Sequence, residues 1–194
     1  MSRTTLRELN GFDPTPAKLA GSTLILIDFQ NTYTRGVMEL DGWAESLDAA
    51  ALLLERARAQ GTKVVHVVND GGEGTPYDIR AEIGAIHPKV APLDGEPVVV
   101  KQVPNAFVGT DLATHLTEGQ DVVVAGWMTH MCVAFTAQGA FLNGNRPTVV
   151  ADACATRSLP VAGDDVPADQ VHRSALATVA DLYGVVVASQ KEIV

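Results

Sequence analysis

Six short runs of β-branched and apolar residues, each nearly unbroken, recur along this 194-residue chain and alternate with stretches of helical period. They are Thr23 to Ile27, Val64 to Val68, Val98 to Val100, Val122 to Ala125, Thr148 to Ala151, and Val185 to Ala188. A strand with one wet face alternates apolar and polar side chains, whereas an unbroken run suits a strand covered on both faces. Between the runs, Leu47, Ala50, Leu54 and Ala57 form a helical stripe that stops at Gly61, and Cys132 to Asn143 continues the pattern to Gly144. Thr110-Asp111 opens a short helix ending near Gly119; a last helix starts near Pro167 and carries Val171, Ala175, Val179 and Leu182 inward. This alternation implies right-handed crossovers, and so a doubly wound α/β domain: a six-stranded, mostly parallel sheet with helices on both faces. No repeat or linker divides the chain, so residues 1–194 read as one domain with 1–20 as an N-terminal extension. The segment 71–97, rich in Gly and Pro, reads as a long loop with one short helix, and loops of that length often carry function.

Composition narrows the partners. A formal charge of −9 argues against nucleic acid and against an anionic membrane surface, both of which need clustered Lys and Arg. The first residues hold Arg3, Arg7 and Lys18 but no apolar core of signal-peptide length, and no run approaches the ~20 apolar residues of a membrane helix. The two cysteines, Cys132 and Cys154, imply no disulfide framework, so a cytoplasmic protein acting on a small molecule is expected.

In a doubly wound sheet the ligand crevice lies beyond the carboxyl ends of the strands, so the residues that end the strands are the candidates for chemistry. Asp28 ends the first run and Lys101 the third. The fourth leads through Gly126-Trp127-Met128-Thr129-His130-Met131 to Cys132 at a helix start. Thiolate is the attacking form of cysteine; a carboxylate can take the thiol proton, while a lysine and a helix N-terminus favour the anion. Each also has a plainer reading: Asp28 as a turn residue, Lys101 as a solvated edge lysine, Cys132 as a small buried hydrophobe. Gly72-Glu73-Gly74-Thr75-Pro76-Tyr77 lacks the third glycine of a dinucleotide fingerprint, and there is no P-loop, so no cofactor is expected.

Ile27-Asp-Phe-Gln30, Lys101 with Asn105-Ala-Phe-Val-Gly-Thr110, and Ala125-Gly-Trp-Met-Thr-His-Met-Cys-Val133 resemble the three signature blocks of the isochorismatase-like cysteine hydrolases, a superfamily that includes nicotinamidases, N-carbamoylsarcosine amidases and streptothricin hydrolase. Val150 to Arg157 and Val171 to Leu176 are similar to downstream stretches of the same group. The resemblance implies Asp28, Lys101 and Cys132 as the catalytic residues. It further implies a non-proline cis peptide between Trp127 and Met128 that turns the Met128 N–H toward the Cys132 N–H as an oxyanion hole. A homo-oligomer is implied as well. Phe29, Tyr33, Asn105, Phe107, Trp127 and His130 lie near these blocks and are candidate substrate contacts.

Two departures from the pattern refine the expectation. Many nicotinamidases carry an Asp-x-His metal motif after the second strand; here the chain reads Val68-Asn-Asp-Gly-Gly72, so no catalytic metal is expected. True isochorismatases, as the resemblance implies, have glycine where Cys132 stands, so the thiol favours covalent amide hydrolysis over ether cleavage. Hydrolysis of an ester or an isochorismate-like ether, and a catalytically silent binding protein of the same fold, are the alternatives; rapid iodoacetamide labelling of Cys132 at neutral pH is the expected sign of a reactive thiol.

Overall fold

The structure, a computed structural model, describes residues 4–194. All six apolar runs form strands of one sheet: β1 (Thr23–Ile27), β2 (Lys63–Asn69), β3 (Val98–Lys101), β4 (Asp121–Trp127), β5 (Arg146–Ala155) and, after a short hairpin described below, β8 (Val185–Val187). The order across the sheet is β3-β2-β1-β4-β5-β8 and every pairing is parallel. The chain winds outward in one direction from β1 to β3, then returns to the other side of β1 with β4, so the topological switch point lies between β1 and β4.

The unbroken runs have the packing they require. All five residues of β1 are buried, with Leu24 and Leu26 in one core and Ile25 and Ile27 in the other. Helix α2 (Trp43–Ala59) covers the first face with Leu47, Ala50, Leu54 and Ala57 buried, and Gly61 follows it with a φ of 69°. The second face packs against α3 (Ala134–Leu142) and α4 (Ala168–Thr178). The N-terminal extension is bound to this body. Its single helical turn, α1 (Leu6–Leu9), bonds to Asp181 through the Leu6 N–H, and Leu19 is fully buried.

Several local expectations are corrected. The expected helix after Thr110 is only a 3₁₀ turn, Leu112–His115, because Leu112 alone is anchored in the core and Leu116 is already extended. Two 3₁₀ turns, Glu82–Gly84 and Pro88–Val90, replace the one short helix of the 71–97 loop. The helix carrying Cys132 opens with a π-helical turn, Thr129–Val133, before α3 proper. On α4 it is Leu176, with Val179 beyond it, that is buried, while Leu182 is half-buried and Val171 and Ala175 are half-buried along a groove of about 410 Å³. Its far wall is an unanticipated hairpin of β6 (Leu159–Val161) and β7 (Asp164–Val166). Ala162 and Gly163, both at positive φ (53° and 94°), make its turn, as two-residue hairpin loops demand.

A part-buried polar knot fixes how the long loop enters β3. Glu96 accepts two bonds from Arg58 of α2 (2.8 and 2.7 Å), one from the Leu93 N–H (2.9 Å), and contacts His66 Nε2 of β2 at 2.9 Å. The Arg58 fork, foremost, holds the Glu96 carboxyl down at about 2 from an ordinary 4.5, and burial keeps His66 below its usual value. A depressed carboxyl contributes stability above its unfolded pKa, lost as pH falls through the folded one. Glu96, partly screened by solvent, therefore contributes roughly 2 kcal/mol above about pH 4.5, which disappears toward pH 2. Urea unfolding of Glu96→Gln should show a loss of about 2 kcal/mol at pH 7 that shrinks steadily below pH 4. A difference independent of pH would contradict this assignment.

Candidate active site

Three strand ends converge at the switch point. Asp28 directly follows β1, at a left-handed φ of 53°, its N–H donating to the Val67 carbonyl (2.9 Å) and its carbonyl accepting from the Gln30 N–H (2.7 Å). Aspartate is among the few non-glycine residues that tolerate this region, and such residues gather at functional sites. Cys132 arrives from the other side of β1 on the turn after β4. Lys101 ends β3, two strands from β1 and about 10 Å away across the sheet, so only a long flexible side chain spans the gap. Close approach of β1 and β4 depends on Gly126: a Cβ there would sit 2.3 Å from the Ile27 carbonyl oxygen.

Lys101 Nζ lies 2.7 Å from Asp28 Oδ2 and 3.3 Å from Cys132 Sγ, and the Lys101 and Asp28 side chains are fully buried. Its remaining neighbour is Asn69 Oδ1, 3.3 Å away, on the β2 residue that pairs in register with Lys101. Neither Asp28 oxygen has a well-aligned donor beyond Lys101 and the thiol. Burial raises the Asp28 pKa, and Lys101 and the thiol only partly offset it. Burial, seconded by Asp28, pushes the Cys132 thiol up to about 12 despite Lys101. Burial would depress Lys101, but Asp28 and Cys132 more than reverse that. Lys101 is thus held as an ammonium against the Asp28 carboxyl, with the thiol displaced toward its protonated form. Moving the thiol proton to Asp28 leaves the net charge unchanged, with Lys101 beside whichever anion remains.

The other candidate residues divide. Tyr33 is buried within electrostatic reach of both Asp28 and Cys132, which together with burial raise its pKa. The Trp127–Met128 peptide is cis, and the Met128 carbonyl accepts from the Met131 and Val133 N–H groups (3.1 and 3.3 Å), passing over Cys132. Phe29 and Trp127 are core residues: their rings meet edge to face at 4.7 Å, and Trp127 Nε1 donates to Ser46 Oγ of α2 (2.9 Å). Asn105 and Phe107 press against Gly139, where a Cβ would lie 2.5 and 2.7 Å from them, seating their loop on α3 about 10 Å along the helix from Cys132. His130 turns to Thr156 Oγ1 (2.6 Å) and lines the α3–α4 groove.

Two residues that the strand-end reasoning passed over belong to the surroundings of the sulfur, and a third, Arg157, lies beyond them. Asn69 ends a strand, as Asp28 and Lys101 do, and that was its legible signal. Tyr77 comes from the 71–97 loop and stacks edge to face on Tyr33 at 5.7 Å, within electrostatic reach of Cys132. Arg157 bears electrostatically on Tyr77 and His130, and its buried Nε has no hydrogen-bond partner. Among the described residues no group of three or more His, Cys, Asp or Glu side chains is arranged to hold a metal ion, and no helix is long and apolar enough to cross a membrane.

A doubly wound sheet with a carboxylate, an ammonium and a thiol at its switch point defines the class, and the comparisons give the family. The isochorismatase domain model matches residues 22–191. The chain superposes on the crystal structure of an isochorismatase from Pseudomonas putida KT2440 with a TM-score of 0.94 and 38% identity, covering 100% of both chains. It is 32% identical to a secreted isochorismatase effector of Verticillium dahliae over 96% of this chain and 97% of that one. To the maleamate amidohydrolase of Pseudomonas putida it is 34% identical, over 76% of this chain and 75% of the relative. The chain belongs to the isochorismatase family. It is a hydrolase, with amidohydrolases among its relatives.

Burial and Asp28 push the Cys132 thiol up to about 12, which sets how its labelling should depend on pH. Iodoacetamide should alkylate Cys132 slowly at pH 7, with a rate rising about tenfold per pH unit through pH 9. A rate constant that is flat between pH 6 and 9 would show a thiolate at rest instead.

Proposed function

We propose that the protein hydrolyses a C–N bond of a small amide through a thioester on Cys132, without a metal or cofactor. The observation that carries this reading is Lys101 Nζ held 2.7 Å from Asp28 and 3.3 Å from the Cys132 sulfur in a buried site. Asp28 takes the thiol proton as the sulfur attacks the carbonyl carbon, and Lys101 balances the charge left on sulfur. The carbonyl oxygen becomes an oxyanion held by the Met128 and Cys132 N–H groups; the place of both residues where the helix opens, Met128 just before the run Thr129–Val133 and Cys132 within it, supports this. As the C–N bond breaks, Asp28 returns the proton to the departing nitrogen. Water then gives a proton to Asp28 and attacks the thioester; sulfur leaves and recovers that proton, restoring the resting state.

Tyr33 and Tyr77 supply an aromatic wall. Arg157, with an unspent buried donor near it, favours a substrate bearing a negative group. The protein acts in this reading as a homo-oligomer in a reducing cytoplasm, where its two free cysteines remain thiols.

Ammonia or amine release should be measured over a panel of small amides, with maleamate included and neutral amides and esters as separate arms. Carboxylate-bearing amides should be favoured. Cys132→Ala should lose at least about a thousandfold in kcat while keeping the wild-type melting temperature within a few degrees; Asp28→Asn should lose as much and also melt lower, because it leaves the buried Lys101 without its anion. Undiminished amide turnover by Cys132→Ala ends the thioester reading, and turnover of esters alone moves the activity to another bond.

A further inference from the structure

Lys101 stands between two groups that exchange one proton, so the direction of its N–H bonds decides how well it serves either. An ammonium has three donors and no acceptor. Here it has three neighbours: Asp28 Oδ2 at 2.7 Å, Cys132 Sγ at 3.3 Å and Asn69 Oδ1 at 3.3 Å. Two of these carry the anion in turn. The third is a neutral amide, and since Nζ can only donate, it is the oxygen of that amide that faces it.

Asn69 is itself anchored with unusual completeness. β1 and β2 part company after Ile27, where the chain turns away at Asp28, and the next rung of the ladder is made by a side chain. The fully buried Gln30 accepts from the Asn69 N–H through Oε1 (3.0 Å) and donates to the Asn69 carbonyl through Nε2 (3.0 Å), as a paired peptide group would. The same Nε2 also donates to the Gly84 carbonyl in the long loop (2.7 Å). Both of its bonds to residue 69 are made to backbone atoms, so the Asn69 side chain is left to Lys101.

We propose that Asn69 is a positioning residue: its Oδ1 holds the third N–H of Lys101, aiming the other two at Asp28 and Cys132 without adding a competing anion. The role rests on the cysteine-hydrolase reading above and acts through Lys101. A carboxylate in the same place would take a permanent share of the ammonium charge and leave less for the sulfur. The ionisable groups bearing on the sulfur are Asp28 and Lys101 at the strand ends, Tyr33 after β1 and Tyr77 from the long loop.

Two variants test this, with a readout that needs no substrate. Asn69→Asp should slow iodoacetamide alkylation of Cys132 at pH 9 by about tenfold or more, since each unit of added thiol pKa costs a factor of ten below the pKa. Asn69→Ala, which keeps both backbone bonds to Gln30, should slow alkylation much less. With whichever amide the panel identifies, it should lower kcat about fivefold to tenfold and leave KM within about twofold. Melting temperatures within a few degrees of wild type should accompany both. Wild-type alkylation in Asn69→Asp overturns the proposal, and so does wild-type kcat in Asn69→Ala; if Asn69→Asp does not fold, Asn69→Ala decides alone. An active Cys132→Ala enzyme would end the hydrolase mechanism instead, and the alkylation comparison would still stand or fall by itself.

Discussion

A lysine ammonium with no exposed surface has to have an anion beside it, and the pairing of Lys101 with Asp28 is the constraint around which the rest of this structure is arranged. Removing either charge from water costs several kcal/mol, and the contact repays it only with good geometry and with the ammonium's other donors satisfied. Geometry comes from the sheet. Strand order β3-β2-β1-β4 puts the carboxylate in the middle, the lysine two strands to one side and the thiol on the turn to the other. Gly126 lets the two central strands close up, and the Glu96 knot sets where β3 begins. The elements that look purely architectural therefore determine whether three side chains, distant in sequence, meet at one point.

In the proposed mechanism the same electrostatics store the nucleophile in a form that does not react. Burial and Asp28 both favour the protonated thiol at rest, while Lys101 works against them. In that mechanism an incoming carbonyl changes the balance, because the charge that reaches sulfur passes on to an oxyanion held by backbone N–H groups. The carboxylate then holds the proton in neutral form, which its burial prefers. Catalysis in this account uses a preference already present in the fold and adds no charge to the buried site.

Much of the frame was legible in the sequence because burial leaves a mark on composition. The six strands could be read from unbroken apolar runs, and Asp28 and Lys101 stood out because a charge that ends such a run must lie at the rim of the sheet. What the sequence hid depended on three-dimensional partners. Phe29 and Trp127 sit beside the signature residues yet face the core, since a ring's direction is set by α2 and Ser46, far away in the chain. Asn105 and Phe107 are absorbed by the bare surface of Gly139. Tyr77 and Arg157 come from segments whose path no periodicity describes. The groove beside α4 exists because Leu176 and Val179, and not Val171 and Ala175, meet the sheet, a rotation that an apolar stripe of this width leaves open.

The central claim is that the sulfur of Cys132 becomes covalently joined to the acyl half of the substrate. Rapid-quench intact-mass spectrometry during turnover of an amide from the panel addresses it most directly. The account predicts a transient species heavier than the free protein by the mass of the acyl group, mapped to Cys132 and missing from Cys132→Ala. Ammonia accumulating over many turnovers while the protein mass stays unchanged at every quench time, under conditions where acylation outpaces hydrolysis, would contradict it.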